Sequence, residues 1–358
     1  MLKKIIPRVW QGKRFSLATP TGYNTPMPSH RGQPMQVKYW SRAGLMLTAW
    51  CNARCASCYL CCGPEREEDM PVATALRVWE ELMSASPHGC RVHLTGGEPF
   101  RSWDRLIEIC RAAKAAGLGP LESVETNAFW ATGAPQAADR LRALDEAGMG
   151  KLVISADPYH QQFVPIERPR LLARVGCEVL GARRVQVRWR DWLETGTDTG
   201  SLGEGERAAV FANYAATGRE RLAGRAAAEL SAGLQQRTPA QLADTSCAEP
   251  LLRGKHVHVA PDGSVMPGTC GGLLLGRCNH ERIADMWERL GGDWPQRAVV
   301  GALARGGPVA LLASAVAAGF VPAKTYAAKC HLCWSIRSYL HRHGAGEGEL
   351  GPDWVYQA

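Results

Sequence analysis

Three cysteines on one short segment could do chemistry together. Cys51, Cys55 and Cys58 are spaced C-x3-C-x2-C, and thiolates are the soft ligands that iron–sulfur clusters use. Three of them can hold three irons of a [4Fe-4S] cubane and leave the fourth iron without a protein ligand. Such an iron can bind another molecule, so the spacing predicts a cluster that takes part in catalysis. A zinc knuckle is the alternative that the same residues leave open.

A turn with two adjacent glycines follows farther along the chain, where Thr-Gly-Gly-Glu-Pro occupies 95–99. Glycines let the backbone come close to a ligand, so that its N–H groups can meet a carboxylate, while Glu98 could meet an ammonium group. A Gly-Gly pair by itself usually marks only a turn. Together with the cysteine loop, Gly96, Gly97 and Glu98 are predicted to bind a ligand.

Polar residues also follow the third and fourth predicted strands. Asn127 follows the third strand, and Ser155 and Asp157 follow the fourth. Each is an ordinary capping residue when taken alone, but their repetition at successive strand ends favours a shared binding edge. His160, just beyond them, is a candidate for substrate contact or proton transfer. It could equally satisfy the backbone of its own loop.

The fifth predicted strand alternates apolar and charged residues. Arg188 and Arg190 share its polar side. If that side faces the interior of a barrel, an arginine fork there could bind a carboxylate. A solvent-facing edge strand would show the same pattern.

The elements that must position these residues alternate between strand and helix from Leu45 onward, which predicts a parallel α/β sheet. In such folds, ligands gather at the carboxyl ends of the strands, where each motif above lies. The predicted strands span 45–49, 91–95, 121–125, 151–155 and 184–190, and the predicted helices span 71–86, 102–116, 137–147, 168–175 and 207–228.

The cysteine loop and the Gly-Gly-Glu-Pro turn resemble the signature motifs of the radical S-adenosylmethionine (radical SAM) superfamily. In that family, the open iron chelates the amino and carboxylate groups of S-adenosylmethionine (AdoMet). One electron from the cluster cleaves the sulfonium and gives methionine and a 5'-deoxyadenosyl radical. The resemblance implies a partial (β/α)6 TIM-type barrel. It also implies that Cys51, Cys55 and Cys58 hold the AdoMet-binding [4Fe-4S] cluster.

The resemblance further assigns AdoMet contacts to the strand ends. Asn127 stands in a motif similar to the family's Thr-Asn-Gly, with Ala128 in place of the glycine, and 155–157 is similar to its Ser-x-Asp rim. Ser57 replaces the bulky residue that packs on adenine in many relatives, so Tyr59 is the candidate for that stacking. The implied AdoMet-binding residues are Tyr59, Gly96, Gly97, Glu98, Asn127, Ser155, Asp157 and Arg188.

A second set of cysteines occupies the last third of the chain. Two of them flank a predicted hairpin that turns at Asp262-Gly263, and the other two form a C-x2-C. The arrangement resembles the SPASM and twitch extensions of radical SAM enzymes, which implies one auxiliary [4Fe-4S] cluster on four thiolates. A tetrahedral zinc site is the alternative. The four implied ligands are Cys247, Cys270, Cys330 and Cys333.

The chain is predicted to divide into four parts. An arm rich in proline, glycine and polar residues covers 1–44, the barrel covers 45–235, a smaller α+β iron–sulfur domain covers 236–342, and a tail covers 343–358. Cys278, in the third part, is the substitute candidate for any of the four ligands there. With His160, it is also a candidate catalytic residue.

Charge and composition indicate the setting and the partners. The net charge of +8 is spread along the chain, as in a solvated surface or in a docking face for an acidic electron donor such as flavodoxin or ferredoxin. Basic residues do not cluster with aromatic ones, which disfavours nucleic acid. The most apolar stretch, 306–322, is shorter than the roughly 20 residues that cross a bilayer. Thirteen cysteines without an export signal predict a reduced, cytoplasmic protein with no membrane partner.

The predicted function is that of a radical SAM enzyme that cleaves AdoMet reductively and abstracts hydrogen from a small metabolite or a peptide. The outcome could be oxidation, epimerisation, rearrangement or crosslinking. One alternative is an iron–sulfur enzyme that transfers the 3-amino-3-carboxypropyl group of AdoMet. Another is a zinc-stabilised binding protein without catalytic activity.

Overall fold

The computed structural model describes residues 36–243, 246–268 and 270–357. Most of the predicted N-terminal arm, residues 1–35, lies outside the described residues. From residue 36 the chain runs toward the first strand, and the backbone N–H of Lys38 donates to the carbonyl of Leu252 at 2.8 Å. The short described part of the arm is therefore tied to the C-terminal half of the chain.

Within the described residues, eight strands form one sheet. They are β1 (Arg42–Met46), β2 (Arg91–Thr95), β3 (Leu121–Thr126), β4 (Lys151–Ser155), β5 (Val185–Arg188), β6 (His256–Val259), β7 (Ser264–Pro267) and β8 (Gly276–Arg277). Their order across the sheet is β5-β4-β3-β2-β1-β6-β7-β8. The strands from β5 to β6 pair in parallel, and β7 and β8 add antiparallel pairs.

Helices follow the strands, as the sequence predicts. In the part of the chain that the structure describes, they are α1 (Val72–Ala85), α2 (Trp103–Ala115), α3 (Ala134–Glu146), α4 (Glu167–Leu180), α5 (Arg190–Thr195), α6 (Glu204–Ala215), α7 (Arg225–Glu229), α8 (Ile283–Asp293), α9 (Ala298–Ala317) and α10 (Lys329–Arg342). In α1, the buried residues Ala75, Val78, Trp79 and Leu82 recur at helical spacing and pack on the sheet. The α/β fold class is confirmed.

The alternation along each strand separates a packed face from an open one. In β2, Val92 and Leu94 are fully buried in the core that the helices cover, while His93 and Thr95 face a cavity on the other side. Because side chains alternate across a strand, every second residue of the parallel strands can reach this cavity. The sheet therefore carries its polar residues on one face.

The sheet gains its sixth parallel strand in an unexpected way. After β5 the chain forms helices α5 to α7, and the strand that pairs in parallel with β1 on its other side is β6, from the C-terminal part of the chain. The predicted hairpin that turns at Asp262-Gly263 is present as β6 and β7. One sheet thus crosses residue 235, where the sequence suggested a division between domains.

Helix α9 has the length and the apolar composition of a membrane span, and among the described residues it is the only such helix. More than half of its most apolar window, 56%, is buried inside the protein. Its backbone is also interrupted at Gly306 and Gly307, just before Pro308, and it packs against α10. These contacts are those of a core helix.

Candidate active site

A cavity of about 930 Å³ opens at the carboxyl edge of the parallel strands. This is the edge at which α/β proteins bind ligands, and the volume is in the range of sites for cofactors and small molecules. Predicted site residues from separate parts of the chain meet on its wall. Those that line it are Cys51, Cys55, Cys58, Tyr59, Gly96, Gly97, Asn127, Ser155, Asp157, His160, Arg188 and Cys330.

The cysteine loop follows β1, and a buried arginine donates hydrogen bonds to its backbone carbonyls. The guanidinium of Arg225, which is 3% exposed, donates to the carbonyl of Cys55 at 3.1 Å and also to the carbonyl of Cys62. The backbone N–H of Arg225 donates to the carbonyl of Cys58 at 3.1 Å. No sequence motif marks this residue, because it lies far from the loop along the chain. Its positive charge lies close to Cys55 and Cys58, which must be thiolates to bind iron.

The thiols of the loop respond to one another and to this charge. A hydrogen bond from Cys62 and the charge of Arg225 lower the pKa of Cys58 to about 5. Burial and the neighbouring thiol of Cys55 raise the pKa of Cys51. A buried thiolate at Cys51 therefore needs a positive partner, which a bound metal cluster supplies.

The glycine turn after β2 packs directly against the entry to the cysteine loop. The N–H of Gly97 donates to the carbonyl of Thr48 at 2.7 Å, and the N–H of Glu98 donates to the carbonyl of Trp50 at 2.8 Å. A Cβ atom at Gly97 would collide with the backbone of Trp50, and Gly96 has a φ of +144°. Glycine is thus required here by close backbone approach. The Gly97 N–H already donates to a carbonyl of the protein, and its contact with a ligand stays a prediction.

Glu98 points away from the cavity and into the protein. Its side chain is 0% exposed. Its carboxylate accepts from the hydroxyl of Thr126 at 2.9 Å, the N–H of Asn127 at 2.7 Å and the N–H of Phe100 at 3.2 Å. The predicted contact between Glu98 and an ammonium group of a ligand finds no support in this position. Glu98 instead fixes the end of β3 against the glycine turn.

The buried position of Glu98 predicts a pH dependence of stability. Burial raises the pKa of Glu98 from its usual 4.5 to about 7, so between these values the folded state binds more protons than the unfolded state. The free energy of unfolding therefore falls as the pH rises through this window, by about 3 kcal/mol from this group. We expect Glu98→Gln to remove this component, measured as a smaller difference in Tm between pH 5 and pH 8 than in the wild type. An unchanged difference would contradict the assignment.

Asn127 connects the end of β3 to the cysteine loop. Its amide nitrogen donates to the side-chain oxygen of Asn52 at 2.8 Å and lies 3.6 Å from the sulfur of Cys51. Its amide oxygen accepts from the N–H of Phe129 at 2.9 Å. Asn127 therefore orients one of the predicted cluster ligands and presents its edge to the cavity.

Asp157 and His160 form a pair on the cavity wall after β4. One carboxylate oxygen of Asp157 accepts from the N–H groups of Tyr159 and His160 at 3.0 Å each, and the other lies 2.6 Å from Nδ1 of His160. Burial by itself lowers the pKa of His160, but the charge of Asp157 and the Cys55 thiol outweigh it and raise that pKa. His160 is thus held in a fixed orientation beside the cysteine loop.

The two arginines of the fifth strand separate. Arg188 lines the cavity, and its guanidinium donates to the carboxylate of Glu125 at 2.7 Å. Arg190 is exposed and begins α5, since Trp189 takes a left-handed conformation with φ +60° and ends the strand. The prediction that Arg188 and Arg190 share one face of the strand and bind a carboxylate together is therefore wrong. Arg188 instead pairs with Glu125, which no motif marked.

The four cysteines of the C-terminal set lie close together. Burial and the thiols of Cys333, Cys270 and Cys330 raise the pKa of Cys247. Two further arginines adjoin the set. The guanidinium of Arg221 lies 3.8 Å from the sulfur of Cys270 and 3.9 Å from the sulfur of Cys330. The buried Arg337 donates to the sulfur of Cys333 at 3.3 Å.

Cys278 joins neither set and does not reach the cavity. It is 3% exposed in the apolar core, and its carbonyl accepts from the guanidinium of Arg77 at 3.1 Å. Burial raises the pKa of its thiol to about 11. Its predicted roles as a catalytic residue and as a substitute ligand find no support in this position.

Neither protein-family models nor curated proteins match this sequence. Similar solved structures include BtrN in complex with AdoMet and 2-DOIA, with 16% identity, a TM-score of 0.44 and coverage of 76% of this chain and 90% of that one. Streptococcus suis SuiB bound to AdoMet shows 12% identity, a TM-score of 0.39 and coverage of 70% and 65%. The protein anSMEcpe with bound AdoMet and a Cp18Cys peptide shows 12% identity, a TM-score of 0.42 and coverage of 84% and 97%.

These are distant likenesses of overall fold, and the chemical interpretation of the site rests on its own residues. Each of these solved structures contains AdoMet, and the cysteine loop and the Gly-Gly-Glu-Pro turn of this chain resemble the motifs of the radical SAM family.

Proposed function

We propose that this chain is a radical SAM enzyme that cleaves AdoMet reductively and abstracts a hydrogen atom from a small metabolite or a peptide. One observation carries the proposal. The C-x3-C-x2-C loop lies at the carboxyl edge of a parallel sheet and shares a cavity with the polar residues that end β3 and β4. A zinc knuckle would need no such cavity.

Cys51, Cys55 and Cys58 would hold a [4Fe-4S] cluster, and AdoMet bound to that cluster would supply a 5'-deoxyadenosyl radical. The protein's own residues would bind and orient the cofactor and the substrate, and would exclude water from them. Arg225 holds the carbonyls of the loop, and Asn127 orients Cys51.

Residues at the strand ends are placed to bind AdoMet. Ser155 and Asp157 offer hydroxyl and carboxylate oxygens to the cavity, and Tyr59 offers an aromatic face. Arg188 can bind a carboxylate, although Glu125 already neutralises part of its charge. His160, fixed by Asp157, is the residue that we propose for contact with substrate or for proton transfer.

We further propose an auxiliary [4Fe-4S] cluster on Cys247, Cys270, Cys330 and Cys333. Cys330 and Arg221 reach the same cavity as the cysteine loop, so this cluster would lie beside the bound substrate. There it could ligate the substrate or accept an electron after hydrogen abstraction. Arg221 and Arg337 would offset part of the negative charge of its thiolates.

The setting and the partner follow from charge and from the cysteines. All thirteen cysteines fall in the described residues and none forms a disulfide bond, which supports a reducing, cytoplasmic compartment. The net charge of +8 supports docking of an acidic electron donor such as flavodoxin or ferredoxin, chiefly by raising the rate of association.

The nucleoside product tests the proposed function. We expect protein reconstituted anaerobically with iron and sulfide to bind about eight irons per chain and, with dithionite and AdoMet, to release 5'-deoxyadenosine, identified by mass spectrometry. Release of 5'-methylthioadenosine would identify transfer of the 3-amino-3-carboxypropyl group instead. Zinc without iron, and no nucleoside product, would establish the binding protein and overturn the proposal.

A further inference from the structure

Three histidines that no motif marks meet on the cavity face of the sheet. They are His93 on β2 and His256 and His258 on β6. One ring nitrogen from each lies within 4.8 Å of the others, and the ring centroids are 4.6 to 5.6 Å apart. All three line the cavity, apart from both cysteine sets.

A glycine between two of the histidines leaves the space that they face. In the register of the sheet, Gly44 on β1 pairs with His93 on one side and with His258 on the other. A Cβ atom at Gly44 would lie 2.6 Å from Nε2 of His93 and 2.8 Å from Nε2 of His258. Both Nε2 atoms therefore converge on the gap above Gly44.

The hydrogen bonds of the rings leave nitrogens free to bind a cation. Nδ1 of His258 lies 2.5 Å from the carbonyl of Gly268. A carbonyl only accepts, so Nδ1 carries the proton and Nε2 keeps its lone pair. Among the described residues, Nε2 of His256 is buried without a hydrogen-bond partner, and so is Nδ1 of His93, the nitrogen that carries the proton when Nε2 of the same ring binds a cation. Buried polar atoms of this kind are rare and need an explanation.

The charges around the group permit a cation. Burial lowers the pKa of His93 and of His256 to about 2, so both imidazoles are neutral, the form that binds metals. The nearby guanidinium groups are each held by a carboxylate, Arg42 by Glu122 at 2.5 Å and Arg188 by Glu125 at 2.7 Å.

We propose that His93, His256 and His258 form a binding site for a divalent first-row transition-metal ion, separate from both iron–sulfur sites. Three imidazoles and an open side toward the cavity are the ligand set of a metal that keeps one position for another molecule. The carboxylate of Glu125, 3.8 Å from Nε2 of His93, places a negative charge beside the site. An oxygen or nitrogen donor of a molecule in the cavity would occupy the open position.

Zinc loading of the reconstituted protein tests this site. Protein that already holds its iron is incubated with Zn²⁺ and desalted over a chelating resin, and zinc and iron are counted by mass spectrometry. We expect about one zinc per chain, with a shell of nitrogen or oxygen ligands at about 2.0–2.1 Å and no sulfur shell at about 2.3 Å in X-ray absorption. A sulfur shell, or no retained zinc, would overturn the site.

Two variants locate the zinc. Gly44→Ala fills the gap between the imidazoles. His256→Gln removes one ligand and leaves the sequence of β1 unchanged. We expect both to lose the zinc and to keep their iron, whereas His280→Ala, at an exposed histidine, keeps both metals. Zinc retained in both variants would place it elsewhere and refute the site. The measurement does not involve AdoMet, so its failure is distinct from failure of the proposed radical chemistry.

Discussion

Replacing Cys55 by alanine is expected to abolish the cleavage of AdoMet. The variant leaves only two thiolates in the loop, so the cubane that would bind AdoMet loses one of its three anchors. We expect about four of about eight irons to be lost and the release of 5'-deoxyadenosine to fall at least about 100-fold. Iron analysis and mass spectrometry of the nucleoside measure both effects.

The matched control for this variant is Cys177→Ala. Cys177 is exposed on α4 and belongs to neither cysteine set, so its replacement should leave iron content and cleavage unchanged. Full turnover by Cys55→Ala would remove the loop from the chemistry and with it the proposed function.

Replacing Cys333 by alanine is expected to remove the proposed auxiliary cluster and to leave the AdoMet-binding cluster in place. The auxiliary site loses a thiolate that Arg337 contacts at 3.3 Å, so the iron content should fall from about eight to about four per chain. AdoMet cleavage in the absence of substrate should persist, because the first loop is intact. Conversion of the natural substrate should fall sharply, since the auxiliary cluster would lie beside it.

One observation would contradict this second expectation. If Cys333→Ala lost zinc and no iron, the C-terminal set would be a structural zinc site. If it lost all of its iron together with its fold, the variant Cys330→Ala, on the cavity side of the same set, would repeat the test. Cys177→Ala again serves as the control.

The sequence was most informative where local pattern and tertiary structure agree. Strands β2 and β4 have the predicted bounds, because β2 alternates polar and apolar residues, β4 is a short apolar run between Lys151 and Ser155, and turn residues flank both. Strand β1 begins three residues before its predicted start. Its first residues, Arg42 to Gly44, lack a strand-like pattern, yet they pair with both β2 and β6. Gly44 lies between His93 and His258, where a larger side chain would collide with both imidazoles. No local sequence pattern reveals this requirement.

The site was predictable in its motifs and not in its contacts. The cysteine loop, the glycine turn and the ends of β3 and β4 meet in one cavity, as their strand positions predicted. Whether a carboxylate side chain enters that cavity depends on its rotamer and its packing, which the motif does not determine. Glu98 points into the protein, where it accepts hydrogen bonds from Phe100, Thr126 and Asn127. Arg225 and Arg221 were invisible because their partners are distant in sequence.

The segment that contains these two arginines links the two cysteine sets. Arg221 approaches Cys270 and Cys330, and four residues later Arg225 holds the carbonyls of Cys55 and Cys62. An electron added at either of the proposed clusters would change the electric field at the arginine beside it, and the two arginines lie only four positions apart on one segment. The reduction potentials of the two sites would then be interdependent, and each would report the redox state of its neighbour.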